Sequence, residues 1–341
     1  MTTGQRPFIV PVFLPHAGCP HRCVFCDQAA ITGQKALLTA ACLHDHVHRY
    51  LHYRGDNRGL TQIAFYGGNF LGLERESLMR LLQAASAFVD QGLVQGIRFS
   101  TRPDTITEEN LDLLKGVPVT TVEVGVQSMD DRVLEKAGRG HTAEQSAAAL
   151  SLLKQAGYET GAQLMTGLPG DDGRASIKTA KKVAALKPDF ARIYPTLVIA
   201  GSPLAQHYRQ GAYAPQSLGS AVAVAKSMCL TLESRGVTVI RMGLQPSDEL
   251  ADSATLLAGP YHPAFGHLVR SEILFNSVSA LIADRQPSPG ADLTLAVHPS
   301  QTSTLRGQKN ANIERLQKAF DLRSIQIVED PQLAENQITC E

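Results

Sequence analysis

The feature that most constrains the fold is a regular alternation of short apolar runs with longer segments of helical period. The runs are rich in β-branched residues, as buried parallel strands are. Seven strands are predicted on this basis: Ile9–Leu14, Ile63–Tyr66, Ile97–Thr101, Thr120–Val126, Gly161–Thr166, Phe190–Tyr194 and Val237–Met242. Repeated strand–helix units of this kind build a parallel sheet in an α/β fold.

The segments between these runs carry the signals that start and stop helices. Thr142 with Gln145 predicts a capping box, and Gly157 stands where a helix-ending glycine belongs. Ser217 is predicted to open a further helix. A helix over 74–89 places its apolar residues on one stripe, which is formed by Leu78, Leu81, Leu82, Ala85, Phe88 and Val89.

The number of units limits the architecture. Six strand–helix units and a following strand are complete by residue 242, which is too many for a small doubly wound sheet and too few for a full eight-unit barrel. We therefore predict an α/β fold with an incomplete (β/α)6-type barrel. From Gln245 the rhythm changes, so we predict a barrel core over 1–244 and a small α/β C-terminal subdomain over 245–341.

The predicted subdomain opens with a Pro-rich and His-rich stretch, Gly259–Arg270. Its predicted elements are a helix through Leu281, a loop over Gln286–Gly290, a strand Leu293–Val297, a helix Asn310–Phe320 and a strand Ile325–Val328. The opening stretch is expected either to fold over the barrel mouth as a lid, with His262, His267 or Arg270 near the substrate, or to act as a structural clasp.

Charge and composition exclude several classes of protein. Among 341 residues, Lys+Arg and Asp+Glu are equal at 32 each, so the chain as a whole creates no basic field for nucleic acid. Residues 1–12 lack the basic, apolar and small-residue pattern of a leader, and no run of 18 apolar residues occurs. We expect a cytoplasmic protein without a membrane segment.

The strongest chemical signal is a cysteine triplet directly after the first strand. Cys19, Cys23 and Cys26 give Cys-x3-Cys-x2-Cys, which in a reducing compartment is typical of a ligand set. Three thiolates suit a cubane iron–sulfur cluster with one open iron better than a structural zinc site, which four protein ligands normally close. His16 or His21 could complete a zinc site, so zinc remains an alternative. The other cysteines stand alone in the sequence: Cys42, Cys229 and Cys340.

This triplet, with Phe25 just before its last cysteine, resembles the radical S-adenosylmethionine (SAM) superfamily. The likeness continues through Gly67-Gly68-Asn69, Ser100–Asp104, Val122–Ser128, Gly138–Thr142, Gly167–Gly170 and Arg192–Ile199. Together these strings are similar to the radical SAM core of the Elongator catalytic subunit and its bacterial relatives. A secondary likeness is to oxygen-independent coproporphyrinogen oxidase. The resemblance runs from about Pro7 to about Tyr213.

The resemblance implies the cofactors and their first contacts. Cys19, Cys23 and Cys26 would hold a four-iron four-sulfur cluster, and the amino and carboxylate groups of SAM would chelate the fourth iron. Gly67 and Gly68 would let the backbone approach the ammonium group of SAM, because a Cβ there would fill the space. Asn69 is the third residue of the Gly67-Gly68-Asn69 motif and belongs to the same set of cofactor positions. Phe25 would lie beside the adenine.

Other SAM contacts follow from the same resemblance. Gln127 matches the position that contacts the ribose, where an amide can both donate and accept. Arg139 matches the position that pairs with the SAM carboxylate, which suits a guanidinium fork. Ser100 and Gln163 stand where relatives often carry an acid, and Gly167–Gly170 would turn beneath the adenine.

The resemblance implies a radical SAM enzyme, which reductively cleaves SAM to a 5′-deoxyadenosyl radical that abstracts hydrogen from a substrate C–H. An electron donor such as flavodoxin or ferredoxin is the implied partner. The Elongator likeness indicates tRNA modification, and a small-molecule substrate is the alternative, because nothing in 245–341 resembles the Elongator acetyltransferase domain. A non-catalytic iron–sulfur or zinc-binding module is the alternative from another class. No catalytic residue is assigned; the pocket-lining candidates are Tyr66, Arg102, Arg192 and Tyr194.

Two weaker signals lie outside the resemblance. His44, His48 and His52 recur at i, i+4 spacing, and we interpret them as a solvated helix face rather than as a metal site. Gly307–Asn310, before a predicted helix, fits an anion site at the helix N-terminus as well as it fits an ordinary cap.

Overall fold

The structure, a computed structural model, describes residues 7–28, 30, 40–55, 59–335 and 337–340. The interpretation of residues 1–12 therefore rests partly on residues 1–6, which lie outside the described ranges. The strands are β1 (Phe8–Leu14), β2 (Thr61–Gly67), β3 (Gly96–Thr101), β4 (Val119–Gln127), β5 (Glu159–Thr166), β6 (Phe190–Pro195), β7 (Val198–Ile199), β8 (Thr238–Met242), β9 (Leu256–Ala258), β10 (Asp292–Val297), β11 (Ser324–Glu329) and β12 (Ile338–Cys340).

The helices alternate with the strands through most of the described chain. They are α1 (Ala40–Arg54), α2 (Arg75–Asp90), α3 (Glu108–Asp112), α4 (Asp131–Lys136), α5 (Ala143–Gln155), α6 (Arg174–Leu186), α7 (Pro203–Arg209), α8 (Leu218–Glu233), α9 (Asp248–Ala251), α10 (Phe265–Arg285), α11 (Thr302–Arg306) and α12 (Ala311–Phe320). Within the described part of the chain, no helix has the length and apolar character needed to cross a membrane.

The main sheet confirms the predicted incomplete barrel. Its 7 strands run in the order β1-β2-β3-β4-β5-β6-β8, and every neighbouring pair is parallel. All seven predicted strands are present at these positions. Because the strands are parallel, their carboxyl ends lie at one edge of the sheet, where ligand sites of α/β folds assemble.

Alternation along β4 shows how the sheet separates core from site. Val122, Val124 and Val126 are fully buried in the main hydrophobic core, because they face the covering helices. Residues of the opposite parity point to the inner face of the partial barrel. The predicted apolar stripe of α2 packs into the same core, which confirms the helix predicted from the spacing of these apolar residues.

The predicted helix signals are also confirmed. Thr142 and Gln145 form a complete capping box at the start of α5, and Gly157 follows that helix with a φ of +83°. The Ser217 side chain accepts a hydrogen bond from the Ser220 N–H and so caps α8. These local contacts satisfy backbone groups that a helix end leaves without partners.

The C-terminal region contains a second hydrophobic core. Helix α10 contributes Phe265 and Val269 to the main core and Val278 and Ile282 to the second one. The second core is covered by a 3-stranded sheet in the order β11-β10-β12, whose first two strands were predicted. The boundary at residue 244 stays a prediction.

Candidate active site

A cavity opens at the carboxyl ends of the first five strands. The structure brings most of the predicted site residues to its wall: Cys19, Cys23, Phe25, Cys26, Gly67, Gly68, Ser100, Gln127, Arg139 and Gln163. Arg102 and Gly125 also line it. Asn69 and Gly167 are not part of this wall.

The loop that carries the cysteines is fixed to the end of β2. The backbone N–H of Asn69 donates to the Ala17 carbonyl at 2.7 Å, and the Asn69 side-chain amide donates to the Gly18 carbonyl at 3.0 Å. Gly18 has a φ of +70° and approaches the Asn69 backbone so closely that a Cβ would overlap it. The cysteine loop is therefore positioned before any ligand binds.

Asn69 acts as a buried link rather than as part of the cavity wall. Its Oδ1 accepts hydrogen bonds from the Thr101 hydroxyl at 2.7 Å, the Arg102 N–H at 3.0 Å and the Thr105 hydroxyl at 2.9 Å, and the residue is 1% exposed. A carboxylate could not also donate to Gly18. The amide therefore suits this position because it joins the cysteine loop to the end of β3.

The two glycines have a physical reason that the sequence did not show. A Cβ on Gly67, whose φ is +111°, would lie 2.9 Å from the Leu14 carbonyl oxygen. A Cβ on Gly68 would overlap the Ala17 carbonyl oxygen and lie 2.6 Å from the Ala17 nitrogen. Gly67 is needed because the end of β1 packs against it, and Gly68 is needed because the cysteine loop packs against the residue that follows β2.

Two of the three thiols, those of Cys19 and Cys26, lie in an environment that disfavours free thiolates. Burial, reinforced by the neighbouring Cys23 and Cys19, raises the pKa of Cys26 to about 12, and burial likewise raises the pKa of Cys19. Arg139 Nη1 donates to Cys23 Sγ at 3.1 Å. Metal ligation requires thiolates and releases their protons, so a bound cluster would offset the cost of holding Cys19 and Cys26 as buried thiolates.

The two histidines of the zinc alternative, His16 and His21, line the same cavity, but the Nε2 atom of each has a hydrogen-bond partner. His16 Nε2 accepts a hydrogen bond from the Gln28 N–H at 3.1 Å, and His21 Nε2 lies 3.2 Å from the Arg139 carbonyl oxygen. Neither Nε2 atom is open to a metal ion. Across the described ranges, no three His, Cys, Asp or Glu side chains gather closely enough to hold one ion. Thiolates that ligate three different irons need not gather so closely.

Three side chains on the wall, those of Gln127, Arg139 and Arg102, present buried atoms without a hydrogen-bond partner among the described residues. Gln127 has a φ of +63°, an uncommon conformation for a non-glycine residue, and its buried Oε1 has no hydrogen-bond partner among the described residues. The same holds for Arg139 Nε, although Arg139 Nη2 donates to the Gly125 carbonyl at 2.6 Å. Unsatisfied buried groups and backbone strain both mark ligand sites.

The donor of Arg139 and the acceptor of Gln127 fit the cofactors that the sequence implies. A partnerless guanidinium N–H suits a carboxylate such as that of SAM, and a partnerless amide oxygen suits a ribose hydroxyl. Gly125 keeps this space open, because a Cβ there would lie 3.2 Å from both Arg139 Nη2 and Gln127 Nε2. The cysteine loop adds three thiols at one side of the same cavity.

One functional candidate escaped the sequence analysis. Glu123 is fully buried on the inner face, where Arg192 Nε lies 2.7 Å and Arg98 Nη2 lies 3.2 Å from its carboxylate. The hydroxyl of Tyr66 and the side-chain amide of Gln163 also donate to it, at 3.2 Å and 3.1 Å. A charged residue between the valines of β4 was the signal that could have identified it.

Of the remaining predicted pocket residues, one lines the cavity and the others lie outside its wall. Arg102 lines the cavity, pairs with Asp104 at 2.9 Å and donates to the Arg139 carbonyl at 2.6 Å. Tyr66, Arg192 and Tyr194 lie on the inner face, outside the cavity wall. Gly167 lies away from the cavity, where its carbonyl accepts from the Tyr213 hydroxyl at 2.6 Å.

The stretch Gly259–Arg270 behaves partly as a clasp. Arg270 donates to both carboxylate oxygens of Glu233 on α8, at 2.9 Å and 2.6 Å, and so ties α10 to the barrel. Gly259 packs on the backbone of Leu197, just beyond the end of β6. Nδ1 of His262 accepts from the Ala264 N–H at 3.0 Å, which starts the turn into α10.

The structure also shows the two weaker sequence signals, the histidines of α1 and the segment before α12. His44 and His48 lie on an exposed face of α1 with their Nε2 atoms 3.1 Å apart, in agreement with a solvated face. Lys309 and Asn310 both adopt a positive φ before α12, and the Asn310 side chain makes no capping hydrogen bond.

Comparison with known proteins gives relatives of two kinds. The chain is 38% identical over 118 residues to a tRNA uridine(34) acetyltransferase of Methanocaldococcus jannaschii, a match that covers 34% of this chain and 22% of the relative. It is 27% identical over 256 residues to the Methanocaldococcus infernus protein of that name, covering 63% and 48%. Elongator complex protein 3 of Saccharomyces cerevisiae is 31% identical over 183 residues, covering 48% and 33%. The chain thus spans less than half of the length of these relatives.

A solved structure has the same fold. Elp3 of Methanocaldococcus infernus, with an N-terminal deletion, superposes with a TM-score of 0.62 at 20% identity, covering 83% of this chain and 68% of that one. A family model of the radical SAM C-terminal domain matches residues 188–274, and the model of the radical SAM superfamily matches residues 13–183. Because this last match covers half of the chain, the chain belongs to the radical SAM superfamily of enzymes, whose cofactors are a four-iron four-sulfur cluster and SAM.

Proposed function

We propose that this chain reductively cleaves SAM at a four-iron four-sulfur cluster held by Cys19, Cys23 and Cys26, and uses the product to abstract hydrogen from a substrate C–H. The observation that carries this proposal is the pairing of the cysteine loop with Arg139, which contacts Cys23 Sγ while its buried Nε has no partner among the described residues. Formation of 5′-deoxyadenosine by the reduced protein tests it.

Each wall residue has a defined task in this proposal. Arg139 holds the SAM carboxylate through Nε and places it beside the cluster ligand Cys23. Gln127 accepts a hydrogen bond from a ribose hydroxyl through Oε1. Gln163 continues the cavity wall on the next strand. A bound, reduced cluster supplies the electron that breaks the sulfur–5′-carbon bond of SAM, which gives methionine and a 5′-deoxyadenosyl radical. Fixed positions for both ends of SAM bring the 5′ carbon to a defined place.

The substrate that the comparisons favour is a tRNA uridine. Two of the relatives described above are named as tRNA uridine(34) acetyltransferases, and their likeness to this chain supports modification of RNA by the radical. A flavodoxin or ferredoxin is the proposed electron donor, for which dithionite can substitute in the test tube. A tRNA-dependent increase in 5′-deoxyadenosine would support this substrate, and no response to any tRNA pool would contradict it.

Replacing Arg139 by Ala is expected to weaken SAM binding by about 1.5–3 kcal/mol, or roughly 10- to 150-fold, the range for a hydrogen bond to a charged partner. Anaerobic equilibrium dialysis of the reconstituted protein with labelled SAM measures this change. Arg132→Ala, an exposed arginine on α4, is the matched control and should bind normally. If Arg139→Ala bound SAM with unchanged affinity, Arg139 would not be a SAM-binding residue.

We further propose that residues 245–341 form a subdomain whose first segment covers the barrel mouth. Strand β9 pairs with β7, which follows the end of β6, and Leu250 and Tyr261 pack with Leu197 and Ile199 there. The segment between β8 and α10 therefore lies at the carboxyl end of the sheet. A radical site needs such a cover because water and small thiols quench the intermediate.

Replacing Gly259 by Val is expected to displace this cover. Gly259 has a φ of +121°, and a Cβ there would lie 3.1 Å from both Leu197 Cα and the Thr196 carbonyl oxygen. The cluster should then lose its iron to a soluble chelator several times faster than in the wild type. Gly290→Val is the matched control, because Gly290 also has a positive φ but open space around it. If a folded Gly259→Val protein lost iron at the same rate as the wild type, the proposal that this segment covers the barrel mouth would be contradicted.

A further inference from the structure

The inner face of the partial barrel carries charged side chains at positions where closed barrels carry aliphatic ones. Closed (β/α)8 barrels fill this space with layers of Val, Ile and Leu. In this chain, β3, β4, β6 and β8 instead project Arg98, Glu123, Arg192 and Arg241. Buried charges are costly and are retained mainly where they are paired or have a function.

The positive charges of this layer exceed the negative ones. Glu123 is shared between Arg98 and Arg192, which leaves one of these guanidinium groups without a full countercharge. The side-chain partner of Arg241 is the neutral amide of Gln245, and the described residues contain no ion pair of Arg241. Arg241 is only partly buried and its bond to Gln245 is exposed, so the excess positive charge of the layer lies at its solvent-accessible end, where an anion would find free donors.

Two of these arginines lie side by side at the open edge of the sheet. Arg192 on β6 is the register neighbour of Arg241 on β8 and, on its other side, of Gln163 on β5. Register neighbours in parallel strands project to the same face, and Gln163 belongs to the cavity wall. Arg192 therefore borders the strand that carries the cavity-wall residue Gln163, and Arg241 lies one strand further from the proposed cofactor site.

Tyr194 follows Arg192 by two residues on the same face of β6. Burial raises the pKa of Tyr194, the charge of Arg192 lowers it, the carboxylate of Glu123 raises it and the charge of Arg241 lowers it. The side chain of Arg192 is only 12% exposed. An anion at this position would meet donors in surroundings that strengthen charge-assisted hydrogen bonds.

We propose that Arg192 and Arg241 form an oxyanion subsite that binds a carboxylate or phosphate group of the substrate next to the SAM cavity. The inference rests on the proposed function and adds the group by which its substrate is held: a phosphate is what a tRNA would supply, and a carboxylate would instead indicate the small-molecule substrate. Two guanidinium forks match the planar or tetrahedral oxygens of such groups. They would hold the substrate by its charged end and leave its C–H bonds towards the cavity.

The test is anaerobic equilibrium dialysis of the reconstituted holoenzyme with labelled inorganic phosphate in one arm and labelled acetate in the other. One saturable site per chain is expected, and the arm that binds more tightly identifies the source of the oxyanion. Arg241→Gln should weaken that binding about tenfold or more. Arg241 is chosen because its replacement leaves the Glu123–Arg192 pair intact.

Controls separate this inference from the proposed function. Arg235→Gln removes an exposed arginine after α8 and should bind the anion normally, while Arg192→Lys keeps the charge and should retain part of the affinity. Unchanged binding in Arg241→Gln, no saturable binding by the wild type, or displacement of the anion by SAM would each overturn the subsite. Wild-type protein that binds the anion but forms no 5′-deoxyadenosine would instead count against the proposed function.

Discussion

Replacing Cys23 by Ala is expected to abolish cluster assembly. After anaerobic reconstitution the wild type should hold about four irons and four sulfides per chain, and the variant should hold almost none. Cys23 is 6% exposed and accepts the hydrogen bond from Arg139, so its loss removes both a ligand and the anchor of the cofactor arginine. Iron and sulfide analysis with the visible absorbance measures the effect.

The other cysteines provide matched controls for this experiment. Cys42→Ala changes an exposed residue of α1, Cys229→Ala a buried residue of the main core, and Cys340→Ala a buried residue of the second core. All three should retain iron and sulfide, because none of them lines the cavity. Stoichiometric zinc without iron in the wild type, or full iron in Cys23→Ala, would contradict the assignment of the triplet.

Replacing Gly68 by Val is expected to destroy the site through the backbone of the cysteine loop. The added Cβ would overlap the Ala17 carbonyl, so the loop must move away from β2 and take the cysteines with it. Overpacking of this kind costs about 1–3 kcal/mol or more. We expect little bound iron, no measurable SAM binding and a lower unfolding midpoint, but a far-UV circular dichroism spectrum close to that of the wild type.

Gly219→Ala is the matched control for the glycine change. Gly219 lies in α8 with nothing within 4 Å of an added Cβ, and alanine favours helix over glycine by up to about 1 kcal/mol. That variant should keep iron and SAM binding and gain slightly in stability. Normal iron content in Gly68→Val would show that the loop tolerates the displacement and that the glycine is not required.

Much of the fold was predictable because each strand of the main sheet spans five residues or more and carries apolar residues along its length. All seven strands of the main sheet were recognised from β-branched runs of the type seen in Thr120–Val126. Strands β7, β9 and β12 were missed, since pairs or triplets of residues carry no readable period. Their existence depends on tertiary pairing, such as that of β9 with β7.

The candidate site was predictable where motif residues face the cavity directly. The cysteines, Gln127 and Arg139 are brought together as expected, although their roles toward the cofactors stay predictions. Asn69 was assigned to the cofactor, but its bonds to Gly18 and Thr101 cross 51 and 32 residues of sequence, and no local pattern reveals such contacts. Glu123 was missed although a charged residue between the valines of β4 is a local signal, because its partners lie on four other strands and its role depends on them.

The central claim is tested most directly by the fate of SAM. Protein reconstituted anaerobically is reduced with dithionite in the presence of SAM, and the products are separated by chromatography, with Cys23→Ala as the blank. The account predicts that the wild type forms 5′-deoxyadenosine and methionine and that the blank forms neither. A wild type that carries the cluster and binds SAM but leaves SAM intact under reduction would contradict it and would indicate an electron-carrying module instead.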